Sequence, residues 1–394
     1  MLKLAFPTCE KLAESKGAKM TVEHVDYDVL DSVKNRCIQA SKQTLSFAKK
    51  YGFVPESKLG ASSNVFQLDL SAFCGLPQSH MYVTLLPEGL GTADDARPDG
   101  LSPQELREFW YNIAVKTVSC MTNDAATCGA QPVLISLYLP SSEPEKVFDQ
   151  SFLAGFTEGF VEGCRIVECA WISGETPQLK GKICEGKVDI AGAVFGMVPP
   201  GCTPIDGSSL APGNKILLVG SSGPHENGFT TLRGLAPKLT DGYRTRLSDG
   251  RQFWQAINAA SKLYSPLVQR LLEEKLAITA IENVTGHGWS KIMRSSKPFC
   301  YRIREVPKYL EVFQFIEQHA GVTRQRMHEI FNCGAGYAVF LETEQDAARA
   351  LEICSAMNYE AVIAGAVEQA ETRRVVIEPY EFSLEDSGFQ LKKG

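Results

Sequence analysis

The clearest periodicity in the chain lies between residues 144 and 168. Phe152, Phe156, Phe160 and Cys164 recur every four positions, and Leu153, Val161 and Val167 widen the stripe. This spacing predicts one amphipathic helix over 144–168, its aromatic face packed on a sheet rather than lining a cofactor pocket. Ser142 followed by Glu145 reads as its capping box, with Pro144 in the first turn, where a missing N–H costs nothing. Short β-branched and aromatic runs predict strands at 132–139, 169–173, 189–198, 215–219, 277–282, 337–341, 359–367 and 373–377. Further helices are expected from residue 229, over 253–276 with Pro266 kinking or splitting it, and after Thr343, where Ala347, Ala350, Leu351 and Cys354 form the buried stripe. This alternation argues for an α/β or α+β fold.

Three prolines and two glycines within 199–207 cannot continue a helix or a central strand. The expected organisation is therefore an arm at 1–24, a domain at 25–198, a linker at 199–207, a second domain at 208–378 and a tail at 379–394. The composition, 44% hydrophobic and 22% charged, is that of an ordinary globular protein. A net charge of −6 leaves no global basic surface for nucleic acid. The longest nearly apolar stretch, 190–201, falls short of the ~20 residues that span a membrane. The first residues are too quickly charged for a secretory signal, so a cytoplasmic location is expected. The 12 cysteines form no C-x-x-C pair, which predicts reduced structural thiols; Cys333 in FNCGAG is the candidate for a reactive one, without a local base.

Five glycine-containing loops adjoin strands. Glu88-Gly-Leu-Gly-Thr92 suits phosphate and magnesium, since glycine lets amides approach an anion and a carboxylate holds the metal, but an ordinary turn reads the same. Asn123-Asp124 is either a polar site or the capped end of a helix. Glu175, in Ser173-Gly-Glu-Thr176, lies at a strand end facing a ligand crevice or stands in a plain turn. The loop 220–228, GSSGPHENG, has the strand, small-residue loop, helix order that binds anions, with His225 and Asn227 able to orient or move a proton. It lacks the Gly-Lys-Ser/Thr ending of a P-loop. His287, in Thr285-Gly-His-Gly-Trp289, is either a ligand-facing donor or a loop histidine. Together the loops suggest a magnesium–nucleotide enzyme more than a hydrolase.

The segments at 159–176, 206–233, VTGHGW at 284–289 and FNCGAG at 331–336 resemble, in order and spacing, the phosphoribosylformylglycinamidine cyclo-ligases, or AIR synthetases. The resemblance runs from Val25 to Ile377. It implies a two-domain fold: an N-terminal domain whose sheet joins a partner's in an intersubunit β-barrel, and a C-terminal domain with helices on a mixed sheet. It implies a homodimer that uses ATP and Mg²⁺ to close the imidazole ring of formylglycinamidine ribonucleotide through an iminophosphate, giving aminoimidazole ribonucleotide for purine synthesis. Carried over by position, Glu88 and Asp124 would hold magnesium, with Glu175 a third candidate that also adjoins the substrate. Gly89, Gly91, Thr92, Asn123, Gly220, Ser221, Ser222 and Gly223 would hold ATP and its phosphates. His225 and Asn227 would act on the phosphorylated ribonucleotide substrate, and Thr285, Gly286 and His287 would close over it.

The departures gather on the nucleotide side. Glu88 stands where the family has Asp, Ala93 replaces a lysine, and Lys116 replaces a further Asp eight residues before Asp124. His287 replaces a glycine, and 62–73 replaces a glycine-rich segment. A cation facing a metal site reverses the local charge. The alternatives to an active cyclo-ligase are a divergent paralogue with weak or absent ATPase, acting by binding or regulation, and a related ATP-dependent enzyme with another substrate.

Overall fold

The computed structural model describes residues 27–55, 66–68 and 82–385. The expected arm at 1–24 and most of 62–73 lie outside them.

In the first half, α1 (Tyr27–Ser41) and α2 (Leu45–Lys49) precede a two-strand ribbon of β1 (Phe53–Pro55) and β2 (Phe66–Leu68). Then follow β3 (Val83–Gly89), α3 (Pro103–Ala126), β4 (Gln131–Tyr138), α4 (Pro144–Val147), α5 (Gln150–Ile166), β5 (Ala170–Glu175) and β6 (Ala191–Met197). The sheet order is β3-β6-β4-β5, with β4 and β5 parallel and the other pairs antiparallel. It is an open sheet; among the described residues no closed barrel forms within one chain.

Helices α3 and α5 cover the inner face of this sheet. Their backbones touch because α5 carries glycine where they cross: a Cβ at Gly155 would lie 2.1 Å from the Arg107 carbonyl oxygen, and one at Gly159 2.2 Å from that of Tyr111. The aromatic stripe of α5 is buried as its spacing predicts, Phe152 meeting Trp110 edge-on at 4.7 Å and Phe160 lying 4.6 Å from Trp171. The helix starts later than expected, however. One turn, α4, ends at Val147, Phe148 turns inward onto Phe152 at 4.9 Å, and Asp149 caps α5 by accepting from the Phe152 N–H at 2.8 Å. Ser142 makes no capping box, and its hydroxyl is buried without a partner.

The second half runs β7 (Lys215–Gly220), α6 (Phe229–Leu235), α7 (Phe253–Ile257), α8 (Ser265–Glu273), β8 (Ile278–Asn283), β9 (Phe299–Ile303), α9 (Glu311–Ala320), α10 (Arg324–Ile330), β10 (Ala335–Leu341), α11 (Glu344–Ala356), β11 (Ala361–Gln369), β12 (Arg374–Ile377) and β13 (Phe382–Glu385). Its mixed sheet has the order β13-β12-β9-β11-β7-β10-β8, with only β9 and β12 parallel. Both faces are covered: Ile216 and Leu218 of β7 pack into one cluster, Leu217 and Val219 into another with α8 and α11. The 253–276 helix is broken, but not by Pro266, which lies in the first turn of α8, where proline is tolerated. The gap at 258–264 instead runs against α3, where the Asn258 amide donates to the Phe109 carbonyl at 3.3 Å. The C-terminal segment read as tail contributes β13 to the sheet edge.

One buried cluster contains Phe109 and Phe156 of the first half and Phe229, Trp254 and Phe313 of the second. Among the described residues no helix is long and apolar enough to cross a membrane.

Candidate functional site

The alternation of β3 turns Thr84, Leu86 and Glu88 toward α3 while Val83 and Leu85 face out. On α3, Lys116, Cys120 and Asp124 are four residues apart and share one stripe. The loop 220–228 and the end of β8 close over that stripe from the second half. Four segments separated widely in sequence thus bring their polar residues together.

Glu88 and Asp124, expected to share a metal, are in contact. Burial pushes the Glu88 carboxyl up to about 7, helped by the Asp124 charge and a hydrogen bond to Asp124, and opposed by Lys291. A negative charge so close makes ionising Glu88 costly. Asn283 fixes the pair from β8, its amide donating to Asp124 Oδ1 at 2.6 Å. Beside it, burial raises Glu282 to about 7 against the opposing charges of Arg294 and Lys291.

Lys116 is fully buried. Its ammonium donates to the His225 carbonyl oxygen at 2.7 Å and lies 5.8 Å from the centre of the Phe229 ring. Burial lowers it to about 8, with Glu226 pulling the other way. Glu226, on the next residue of the loop, accepts from the Ser119 hydroxyl. Burial raises its carboxyl, and Lys116 and Ser119 oppose that rise. The opposite charges of Lys116 and Glu226 thus ease each other's burial.

His225, expected to face the substrate, is only 2% exposed. Its backbone is left-handed (φ 56°), and its Nε2 accepts from the Ser222 and Lys262 amides at 3.3 and 3.5 Å. Burial pulls it down to about 3, with Lys116 and Lys262 adding to the effect. The ring is neutral and carries its proton on Nδ1. The neighbouring amides are also committed: Gly220 N–H donates to Glu360 O at 2.7 Å and Ser221 N–H to Gly334 O at 2.9 Å. The Ser222 hydroxyl donates to Ala260 O at 2.6 Å, and Gly223 O accepts from the Asn332 amide at 2.9 Å. In this conformation the loop is filled by its own side chain rather than open to a phosphate. Asn123 is likewise engaged, its side chain donating to Lys262 O at 2.9 Å and accepting from the Tyr264 N–H at 2.7 Å.

The 89–92 turn behaves differently. Gly89 ends β3, whereas Gly91 (φ 71°) and Thr92 are exposed, and a Cβ at Gly91 would meet nothing within 4 Å. Beyond it a cavity of about 280 Å³ opens between Asp94, Arg97, Trp110 and Lys187. Arg97 lies over the Phe109 and Trp110 rings at 5.4 and 5.5 Å from their centres. Asn227 stands beside Gly286, where a Cβ would come within 3.4 Å of Asn227 Oδ1. His287 is exposed with φ 72°, next to Thr285. Gly288 must be glycine, since a Cβ there would lie 2.0 Å from the His328 carbonyl oxygen. Glu175 is apart from the group. It is exposed on edge strand β5, three strand spacings, ~14 Å, across the sheet from the row that contains Gly89. Among the described residues no group of three or more histidine, cysteine or acidic side chains stands ready to hold a metal ion.

Sequence reasoning passed over Glu226, Asn283, Glu282 and Lys291. Glu226 lies in the 220–228 loop, but its partner Ser119 is more than a hundred residues away.

An open sheet backed by two crossing helices, joined to a mixed seven-stranded sheet over a cluster of carboxylates, defines the class of protein. Residues 101–198 match the family described as AIR synthase related protein, N-terminal domain. A phosphoribosylformylglycinamidine cyclo-ligase of Methanococcus maripaludis is 26% identical over 302 residues, 75% of this chain and 82% of that protein. The structure of the hydrogenase maturation protein HypE in complex with ATP matches with a TM-score of 0.58 at 18% identity, covering 87% of this chain and 92% of that one. Thiamine-monophosphate kinase from Stenotrophomonas maltophilia matches with a TM-score of 0.58 at 14% identity, covering 91% and 98%. The chain thus resembles the AIR synthetases, with divergence along its length, and carries the matching N-terminal domain over 101–198.

Proposed function

We propose that the chain catalyses ATP-dependent closure of the imidazole ring of formylglycinamidine ribonucleotide. The observation that carries this reading is the contact between Glu88 and Asp124 at the root of the exposed Gly91–Thr92 turn. Two touching carboxyls are the hard-oxygen donor set that suits magnesium, and the residues present fit that ion. Glu88 and Asp124 would hold it, and when bound it supplies charge neutralisation for the phosphate oxygens of ATP. The chemistry is phosphoryl transfer to the formyl oxygen followed by attack of the amidine nitrogen, so the protein's share is positioning and electrostatics.

In this reading Gly89, Gly91 and Thr92 take the phosphates, because their turn is open. Asn227 with Thr285, Gly286 and His287 lies against the substrate. His225 and Asn123 act at one remove, ordering the loop 220–228 and the 262–264 backbone around it. Two copies would join through the outer face of the N-terminal sheet, where Leu85 is 70% exposed beside Val83. The expected effect of Leu85→Asp is a shift from dimer to monomer in sedimentation; an unchanged mass would remove that face from the interface.

The decisive assay incubates the protein with formylglycinamidine ribonucleotide, ATP and Mg²⁺ and follows ADP and aminoimidazole ribonucleotide. Both products are expected. ADP alone would mean a related ATP-dependent enzyme with another substrate. Neither product would favour the second reading, a binding or regulatory paralogue, for which the buried Lys116 and the alanine at position 93 speak.

A further inference from the structure

The two loops that carry Asn227 and Thr285–His287 follow different strands, β7 and β8. They approach each other where a Cβ at Gly286 would lie 3.4 Å from Asn227 Oδ1. The segment 328–332, at the end of α10, touches both. On the first loop, a Cβ at Gly228 would lie 2.0 Å from the Phe331 ring. On the second, a Cβ at Gly288 would lie 2.0 Å from His328 O and 2.9 Å from Phe331 O. Glycine at both places lets ring and backbone close in directly, which leaves neither loop slack against this segment.

Asn332 does most of the joining. Its Oδ1 accepts from the Ser221 hydroxyl at 2.8 Å and the Gly334 N–H at 3.1 Å, and its Nδ2 donates to Gly223 O at 2.9 Å. Its backbone oxygen accepts from the Trp289 indole N–H at 2.7 Å and the Ala335 N–H at 2.8 Å. Gly334 N–H can only donate and Gly223 O can only accept, so the amide has one orientation. One residue thus holds the first loop with its side chain and the second with its main chain. At 2% exposure it presents almost nothing to a ligand itself.

We propose that Asn332 is a positioning residue that sets the spacing of these two loops, and so governs affinity for the phosphorylated ribonucleotide but not for ATP. The proposal rests on the reading of Asn227 and 285–287 as substrate-facing. The selectivity follows from place. The turn proposed for the ATP phosphates, 89–92, follows β3 in the first half, whereas Ser221, Gly223, Trp289, Gly334 and Ala335 all belong to the second.

The test compares full-length wild type with Asn332→Ala, Trp289→Phe and Ser221→Ala by two readouts. The first is hydrogen exchange without ligand. Trp289→Phe, which removes the N–H that reaches Asn332 O, is expected to raise exchange about tenfold at amides 220–223 as well as at 288. Ser221→Ala is expected to raise exchange at 288 in turn. Increases confined to the loop that carries the substitution overturn the proposal. The second readout is steady-state ring closure, where Asn332→Ala is expected to raise KM for the ribonucleotide about tenfold at unchanged KM for ATP. A merely structural role would lower melting temperature and kcat and leave both KM values alone; that result, or an equal rise in both, overturns the proposal. If Asn332→Ala does not fold, a selective rise in ribonucleotide KM in Trp289→Phe supports it and an unchanged KM refutes it. No turnover of the ribonucleotide by wild type overturns the functional reading and this inference with it. Turnover by wild type with KM unmoved in every variant overturns the inference alone.

Discussion

The turn at 89–92 leaves Gly91 and Thr92 in the open at the end of an edge strand, whereas the loop at 220–228 folds inward and engages three of its own amides. Both are small-residue loops after a strand, and both suit phosphate on composition alone. The difference shows that glycine supplies only permission for an anion to approach. Whether an anion finds free N–H groups depends on what else reaches them, and at 222 the neutral His225 ring has already done so.

The largest contrast is expected from matched glycine substitutions. Gly228→Ala would place a methyl group 2.0 Å from the buried Phe331 ring at a left-handed residue, costing about 3–5 kcal/mol. Gly91→Ala meets open space and pays only the left-handed backbone, about 1 kcal/mol. Urea unfolding of the two variants measures this, and equal losses would erase the distinction between a packed loop and an open turn.

A smaller effect, about 2–4 kcal/mol, is expected from His225→Ala, which removes the acceptor for two amide N–H groups and leaves a cavity. Melting temperature and turnover should fall together. Turnover lost at unchanged melting temperature would return His225 to the substrate.

The subtlest test is pH. His225 has its folded-state value depressed from 6.5 to about 3, so the unfolded chain binds the extra proton, and stability is full above 6.5 and declines as pH falls toward 3. Asp94, just after the open turn, is raised from 3.8 to about 7 by burial and by Asp95, so its stabilisation is full below 3.8 and declines as pH rises to 7. Hydrogen exchange, corrected for intrinsic rate, should find the 220–228 segment less protected at pH 5 than at 7 and the 93–96 segment more protected. The same direction of change in both would break the comparison.

Legibility in the sequence followed the range of the interactions. The aromatic face of α5 could be read because four-residue spacing of Phe152, Phe156 and Phe160 is a local signal. Helix α3, the longest, went unread although Ser102, Pro103 and Glu105 mark its start with a capping box. Its buried face carries Lys116, Thr117, Ser119, Thr122 and Asn123, so hydrophobic periodicity is masked by polar residues buried for their partners. The break before α5 was missed for a related reason: Phe148 leaves the helix to pack on Phe152, a tertiary preference that overrides the pattern.

The sequence by itself determined where strands end in glycine loops, which carboxylates stand at those ends, and that Lys116 stands eight residues before Asp124. These are matters of backbone freedom and spacing within a few residues. Tertiary structure alone decided that Glu226 accepts from Ser119, that Asn123 ties down the 262–264 backbone, and that Glu175 lies across the sheet from Glu88. Each depends on groups far apart in the chain whose charges or hydrogen bonds must be satisfied once water is excluded, and burial sets that requirement only when the two halves close on each other.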